Sequence, residues 1–180
     1  MHKQHKFFLF MISFFIIATE MFGPIYASFV KDIGGDVLAA GAAWSIYLII
    51  SGIGLFFMGK LEDRIQKDKL FMLVGYSITS LSFLGYFFVS SIIQLFLVQV
   101  LLGVGTMIVI PARDSFYTKY LEKGKFASQW ANWESTWFIG AGIGALAGGF
   151  FAKIYGFRVL FLIMFVLSLI GLVIVTQLEG

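Results

Sequence analysis

Long apolar runs separated by short charged loops set the pattern of this chain. Six windows are apolar for about 20 residues, enough to cross a bilayer as a helix: 7–30, 39–58, 70–89, 92–112, 128–152 and 159–178. Four of them hold no ionisable residue. Only Ser90 and Ser91 lie between the third and fourth windows, which predicts a tight helical hairpin. The first window exceeds a signal-peptide core and shows no small-residue cleavage site after a short apolar run, so it is expected to be a retained span.

Composition turns these windows into membrane spans. The 180 residues are 59% hydrophobic and 13% charged, against about 25% charged in a soluble domain. That leaves too little polar surface to cover a core in water, so the bilayer is the solvent. The chain has no Cys, which excludes a disulfide framework and a thiolate metal site. The expected fold class is therefore an all-α membrane protein, one six-helix transmembrane domain over residues 1–180.

The loops sort by charge. One side carries Lys3, Lys6, Lys60, Arg64, Lys67, Lys69, Arg113, Lys119, Lys123 and Lys125; the other carries Lys31, Lys153 and Arg158. Basic residues favour the cytoplasmic side, so both termini are expected there, in a multi-pass protein of the plasma (inner) membrane. An even number of spans agrees.

The two halves of the chain echo each other. P-x-x-x-S-F-x-K at Pro24–Lys31 returns as P-x-x-x-S-F-x-x-K at Pro111–Lys119, offset by 87. Gly52-Ile53-Gly54 matches Gly142-Ile143-Gly144, and Leu70-Phe71 matches Leu160-Phe161, offset by 90. Two three-helix repeats, about 7–89 and 92–178, are expected. Three is odd, so the second copy would insert upside down, as transporter repeats do.

Glu20 and Glu134 are the ionisable residues inside the windows. A charge in hydrocarbon is costly and by default marks a solute or proton pathway. Trp130, Trp133, Glu134 and Trp137 fall on one side of a helix. Trp130 suits the interfacial belt, while Trp133 and Trp137 lie deeper, where they could stack on a flat or cationic substrate. Arg113 with Glu134, and Arg64 with Asp114, are candidate gate pairs; the alternative is a set of solvated loop charges. His2 and His5 lack further ligands and read as solvated. No phosphate-cradling loop, nucleophile–base set or nucleic-acid stripe is present, so no cofactor, metal, nucleic-acid partner or enzyme activity is expected.

Three segments carry a resemblance. GKLEDRIQKDKL at 59–70 resembles the G-x-x-x-D-R-x-G-R-R loop of the major facilitator superfamily, with Gly59, Asp63, Arg64 and Lys67 matching, Gln66 in place of Gly and Asp68 in place of a basic residue. GAGIGALAGG at 140–149 is similar to the glycine motif of the antiporter branch; Gly140, Gly144, Gly148 and Gly149 match, and Ala145 stands where Pro is usual. YGFRVLF at 155–161 resembles the G-W-R-x-x-F that opens span six. The chain thus looks like the N-terminal six-helix half of such a transporter.

In physical terms, Gly59 would turn the chain where span two ends, Asp63 would cap the next helix or meet its positive dipole end, and the loop cations would hold the anionic membrane face. Gly140, Gly144 and Gly148 form a smooth stripe for close helix packing. The resemblance implies that spans one and four line a central cavity, where Glu20 would face Gln99 and exchange a proton as the cavity opens. The alternative is a Glu20 that snorkels or stays neutral and hydrogen-bonded in the bundle. It also implies that Asp63 meets the opposite half, supplied by a second six-helix half or a homodimer partner. The expected function is movement of a small solute across the lipid bilayer by alternating access, with proton-coupled efflux as one mode. The competing reading is a non-transporting membrane scaffold whose carboxylates only fix packing.

Overall fold

The computed structural model describes residues 3–178, with side chains from Lys6 onward; His2 and the His5 side chain lie outside the described residues. Among these residues the elements are helical. They are α1 (Lys3–Glu20), a 3-10 turn (Gly23–Ile25), α2 (Tyr26–Asp32), α3 (Val37–Ile65), α4 (Asp68–Phe88), α5 (Ile92–Lys119) and α6 (Phe126–Val175). Five stretches, from Lys6–Asp32 to Phe126–Val175, are long and apolar enough to cross a membrane. The protein is an integral membrane protein.

The six windows and five stretches agree once α6 is measured. It runs for 50 residues, about 75 Å at the α-helical rise and far more than the ~30 Å hydrocarbon core. Gly156 breaks it, at φ 81° and ψ 169°, a backbone conformation only glycine takes readily. Contacts with α1 show that the chain doubles back there. Gly140 lies against Ile16 and Gly148 against Met21, whereas Phe161 meets Phe22 and Gly171 meets Phe15. The segments on either side of Gly156 therefore run antiparallel, as two spans.

Local chemistry explains the other ends. Asp36 caps α3, accepting from the Ala39 amide at 2.8 Å. Ser91 caps α5, accepting from the Gln94 amide at 3.4 Å, while the Gln94 Oε1 accepts from the Ser90 amide at 2.8 Å. This reciprocal cap closes the predicted α4–α5 hairpin. The first span is not one continuous helix. Pro24 lacks an amide hydrogen and opens the 3-10 turn, so α1 stops at Glu20 and the chain restarts as α2.

Two expectations for the 59–70 segment are corrected. Gly59 does not turn the chain; α3 continues through it to Ile65, and the turn falls at Gln66, φ 54° and ψ 41°. The position that resembles the family's glycine is thus the left-handed one, filled here by Gln. Asp63 does not cap α4. It is exposed on α3, and Lys67 sits at the α4 N-cap with no side-chain cap bond. Two carboxylates are buried at this turn, Glu62 on the last turn of α3 and Asp68, and Asp68 pairs with Lys119 of α5 at 2.6 Å.

α5 packs on α3 and α4, α4 also on α6, and α6 on α1. The core divides into two apolar clusters. One gathers Phe8, Met11, Phe15, Tyr76, Phe116 and Trp133 on the side of the chain termini. The other gathers Met21, Phe22, Phe29, Tyr86, Leu102 and Phe161 on the opposite side. Thr19, Glu20, Thr79 and Thr106 lie between them and line both cavities described next.

Candidate functional site

Glu20 is the last residue of α1, placed by the break that Pro24 imposes. The glycine stripe of α6 supports that break from behind. Gly140, Gly144 and Gly148 are buried; a Cβ on Gly144 would lie 2.7 Å from the Ile17 carbonyl oxygen, and one on Gly148 would overlap the Met21 carbonyl oxygen. The stripe therefore lets two backbones touch at the level of Glu20. Gly149 takes no part, since a Cβ there would meet nothing within 4 Å.

The Glu20 side chain opens onto two adjoining cavities of about 330 and 280 Å³. Thr19, Glu20, Tyr47, Thr79 and Thr106 line both. One chamber extends toward Pro24, Trp44, Phe83 and Tyr86. The other extends toward Ile12, Tyr76, Arg113 and Trp137 at the terminal side. Among the described residues the Glu20 carboxyl forms no hydrogen bond within the protein, so it is free for a solute or water. A carboxylate with hydroxyl neighbours and aromatic walls can hold a cation, by charge and by ring faces.

Gln99 is elsewhere. It is fully buried on α5, and its Nε2 donates to the Tyr26 hydroxyl at 2.7 Å. The structure joins Gln99 to α2 rather than to Glu20, because the break swings Tyr26 across to α5. Its Oε1 has no hydrogen-bond partner among the described residues. Tyr26→Phe should leave the whole amide unpartnered and cost about 1 kcal/mol, read as a lower unfolding temperature in detergent.

The terminal-side pairs also differ from expectation. Arg113 Nε donates to Asp114 Oδ1 at 2.9 Å, and its guanidinium lies 4.9 Å from the Trp133 ring centre. Trp133 is 7% exposed, between Phe8, Tyr117 and Arg113, so its faces are already taken. Trp137, 37% exposed, lines the chamber and remains available. Glu134 and Arg64 are exposed and form no ion pair among the described residues. Sequence reasoning missed Trp44, Tyr47, Thr79 and Thr106. Their one signal was polarity, or an aromatic ring, at mid-depth in an apolar window.

Comparison with known proteins identifies the family. Residues 8–178 match the family model of the Major Facilitator Superfamily. The chain is 28% identical over 157 residues to the multi-drug resistance efflux pump PmrA of Streptococcus pneumoniae, covering 85% of this chain and 39% of that protein. It is 27% identical over 150 residues to the multidrug resistance protein MdtG of Salmonella typhimurium, covering 81% and 37%. An uncharacterized MFS-type transporter of Methanocaldococcus jannaschii is 25% identical over 146 residues, covering 81% and 38%. The chain thus spans less than two-fifths of the length of these relatives. With a matched region that takes in every membrane-spanning stretch, this chain belongs to the Major Facilitator Superfamily.

Proposed function

We propose that this chain forms one half of a secondary transporter that exports small lipophilic or aromatic cations by alternating access, with Glu20 exchanging a proton for the solute. The observation that carries this reading is the position of Glu20, where two chambers meet and where it forms no ion pair among the described residues. Trp44 in one chamber, Trp137 in the other and Tyr47 in both offer ring faces to a planar cation. The multidrug relatives support a broad, apolar-walled site. Gln99 acts in this scheme by fixing α2 against α5, next to the break, and Trp133 with Arg113 and Asp114 closes the terminal-side chamber. Asp63, Arg64 and Glu134 are exposed and face the remainder of the transporter or the loop surface, and Lys67 is exposed at the start of α4.

The scheme places both termini in the cytoplasm and treats the chain as two inverted three-helix repeats. It also calls for a second six-helix body, either a further half or another copy of this chain. Its contact face includes α3, where Leu48, Ile49, Ile53, Phe56 and Phe57 are all exposed.

The test is transport by the intact protein in vesicles of defined composition. An imposed pH gradient should drive ethidium against its concentration gradient, in proportion to the protein incorporated. Movement equal to that of protein-free vesicles would overturn the proposal.

A further inference from the structure

A third cavity, of about 390 Å³, lies away from the central chambers, between the start of α4 and the end of α5. Its volume is within the range of small-molecule sites. Leu70, Leu73 and Phe116 form an apolar floor, and Lys67, Lys69 and Lys119 stand at its walls. Asp68 is the one acidic residue in the lining, and it pairs with Lys119 at 2.6 Å. Lys69 donates to the Leu178 carbonyl oxygen at 2.6 Å, a neutral partner. An ammonium has three donors, so Lys69 and Lys119 each keep N–H groups for a further acceptor, and Lys67 is exposed. Three lysines against Asp68 leave the lining a surplus of two positive charges, and Glu62, buried on α3 within electrostatic reach of Asp68 and Lys119, lowers it to one when ionised.

The floor continues into the bilayer. Leu70, Val74 and Leu81 are exposed apolar residues at helical spacing along α4. A ligand complementary to both parts carries an anionic head and a hydrocarbon tail. We propose that the groove between α4 and α5 binds an anionic phospholipid, with its phosphate on Lys67, Lys69 and Lys119 and an acyl chain along Leu70, Leu73 and Phe116. Basic pockets between membrane helices hold lipid head groups in this way. A free phosphate would use the lysines but gain nothing from the floor, and a zwitterionic lipid would gain little from the surplus charge. The groove is separate from the Glu20 chambers, so the proposal stands whether or not the transport scheme does.

The test measures lipid retained by the intact protein in detergent, by native mass spectrometry. Phosphatidylglycerol is titrated against phosphatidylcholine and against inorganic phosphate. Phosphatidylglycerol should bind in preference, and inorganic phosphate should not displace it. Lys69→Gln should weaken it about fivefold and Lys67→Gln with Lys69→Gln about twentyfold, whereas Lys123→Gln should leave it unchanged. Equal retention of both lipids, displacement by phosphate, or double-variant binding equal to the unaltered protein would overturn the proposal. A photo-crosslinking residue at Leu73 gives a check that survives a variant failing to fold. A phospholipid adduct supports the site, and an adduct to polypeptide alone rejects it.

Discussion

Glu20→Gln should abolish pH-driven ethidium movement while leaving the amount of folded protein unchanged. Gln keeps the shape and the hydrogen-bonding capacity of the side chain but can neither carry charge nor release a proton. The packing around it should survive, because the carboxyl forms no hydrogen bond with the described residues and the backbone at the break is held by Gly144 and Gly148. Losing a charged partner should weaken cation binding by about 1.5–3 kcal/mol, roughly tenfold or more in affinity. Exchange of labelled for unlabelled ethidium across vesicles at equal pH separates the two roles. A residue that only binds cations would lose exchange and uphill transport together. A residue that also couples protons would keep exchange at high ethidium and still lose uphill transport. If Glu20→Gln transported uphill normally, the carboxyl would have no coupling role.

The second large effect concerns stability. Gly148→Ala should destabilise the protein by about 3 kcal/mol or more, at the upper end of overpacking costs. The new methyl would occupy the place of the Met21 carbonyl oxygen, and backbone cannot move aside as a flexible side chain can. α1 and α6 would have to separate at the level of Glu20. Gly142→Ala on the same helix is the matched comparison, since a Cβ there meets nothing within 4 Å. It should be neutral or slightly stabilising, because Ala favours a helix by about 1 kcal/mol over Gly. Thermal unfolding of both variants in detergent gives the difference, and equal melting would remove the stripe from the account of α1–α6 contact.

The parts of this molecule that depend on one-dimensional quantities were legible in its sequence. Spans follow from apolar length, and the α4–α5 hairpin follows from two serines between apolar runs. The stripe Gly140–Gly144–Gly148 follows from helical spacing. Glu20 stood out because a charge in hydrocarbon has few explanations. The failures share a different cause. Which side chains meet between helices depends on the rotation of each helix about its axis, which periodicity fixes poorly when every face is apolar. Thus the family resemblance sets Gln99 opposite Glu20, yet it meets Tyr26. Arg113 was matched to Glu134, yet it turned to its neighbour Asp114. Gly59 was read as a turn from its motif position, while the helix passed through it and bent at Gln66. The α1 break was implicit in Pro24, but apolarity on both sides concealed it.

Dividing the core has a mechanical consequence. The apolar cluster around Phe8 and Trp133 and the one around Phe22 and Phe161 share no buried residue. On the first span the boundary between them falls between Ile16 and Ala18, within α1, and the break at Met21–Ile25 lies inside the second cluster. Clusters with no buried residue in common can act as separate units of cooperativity, one loosening while the other stays intact. In the transport scheme proposed above, opening to one face would cost only that cluster's contacts, with the seam on the first span between Ile16 and Ala18.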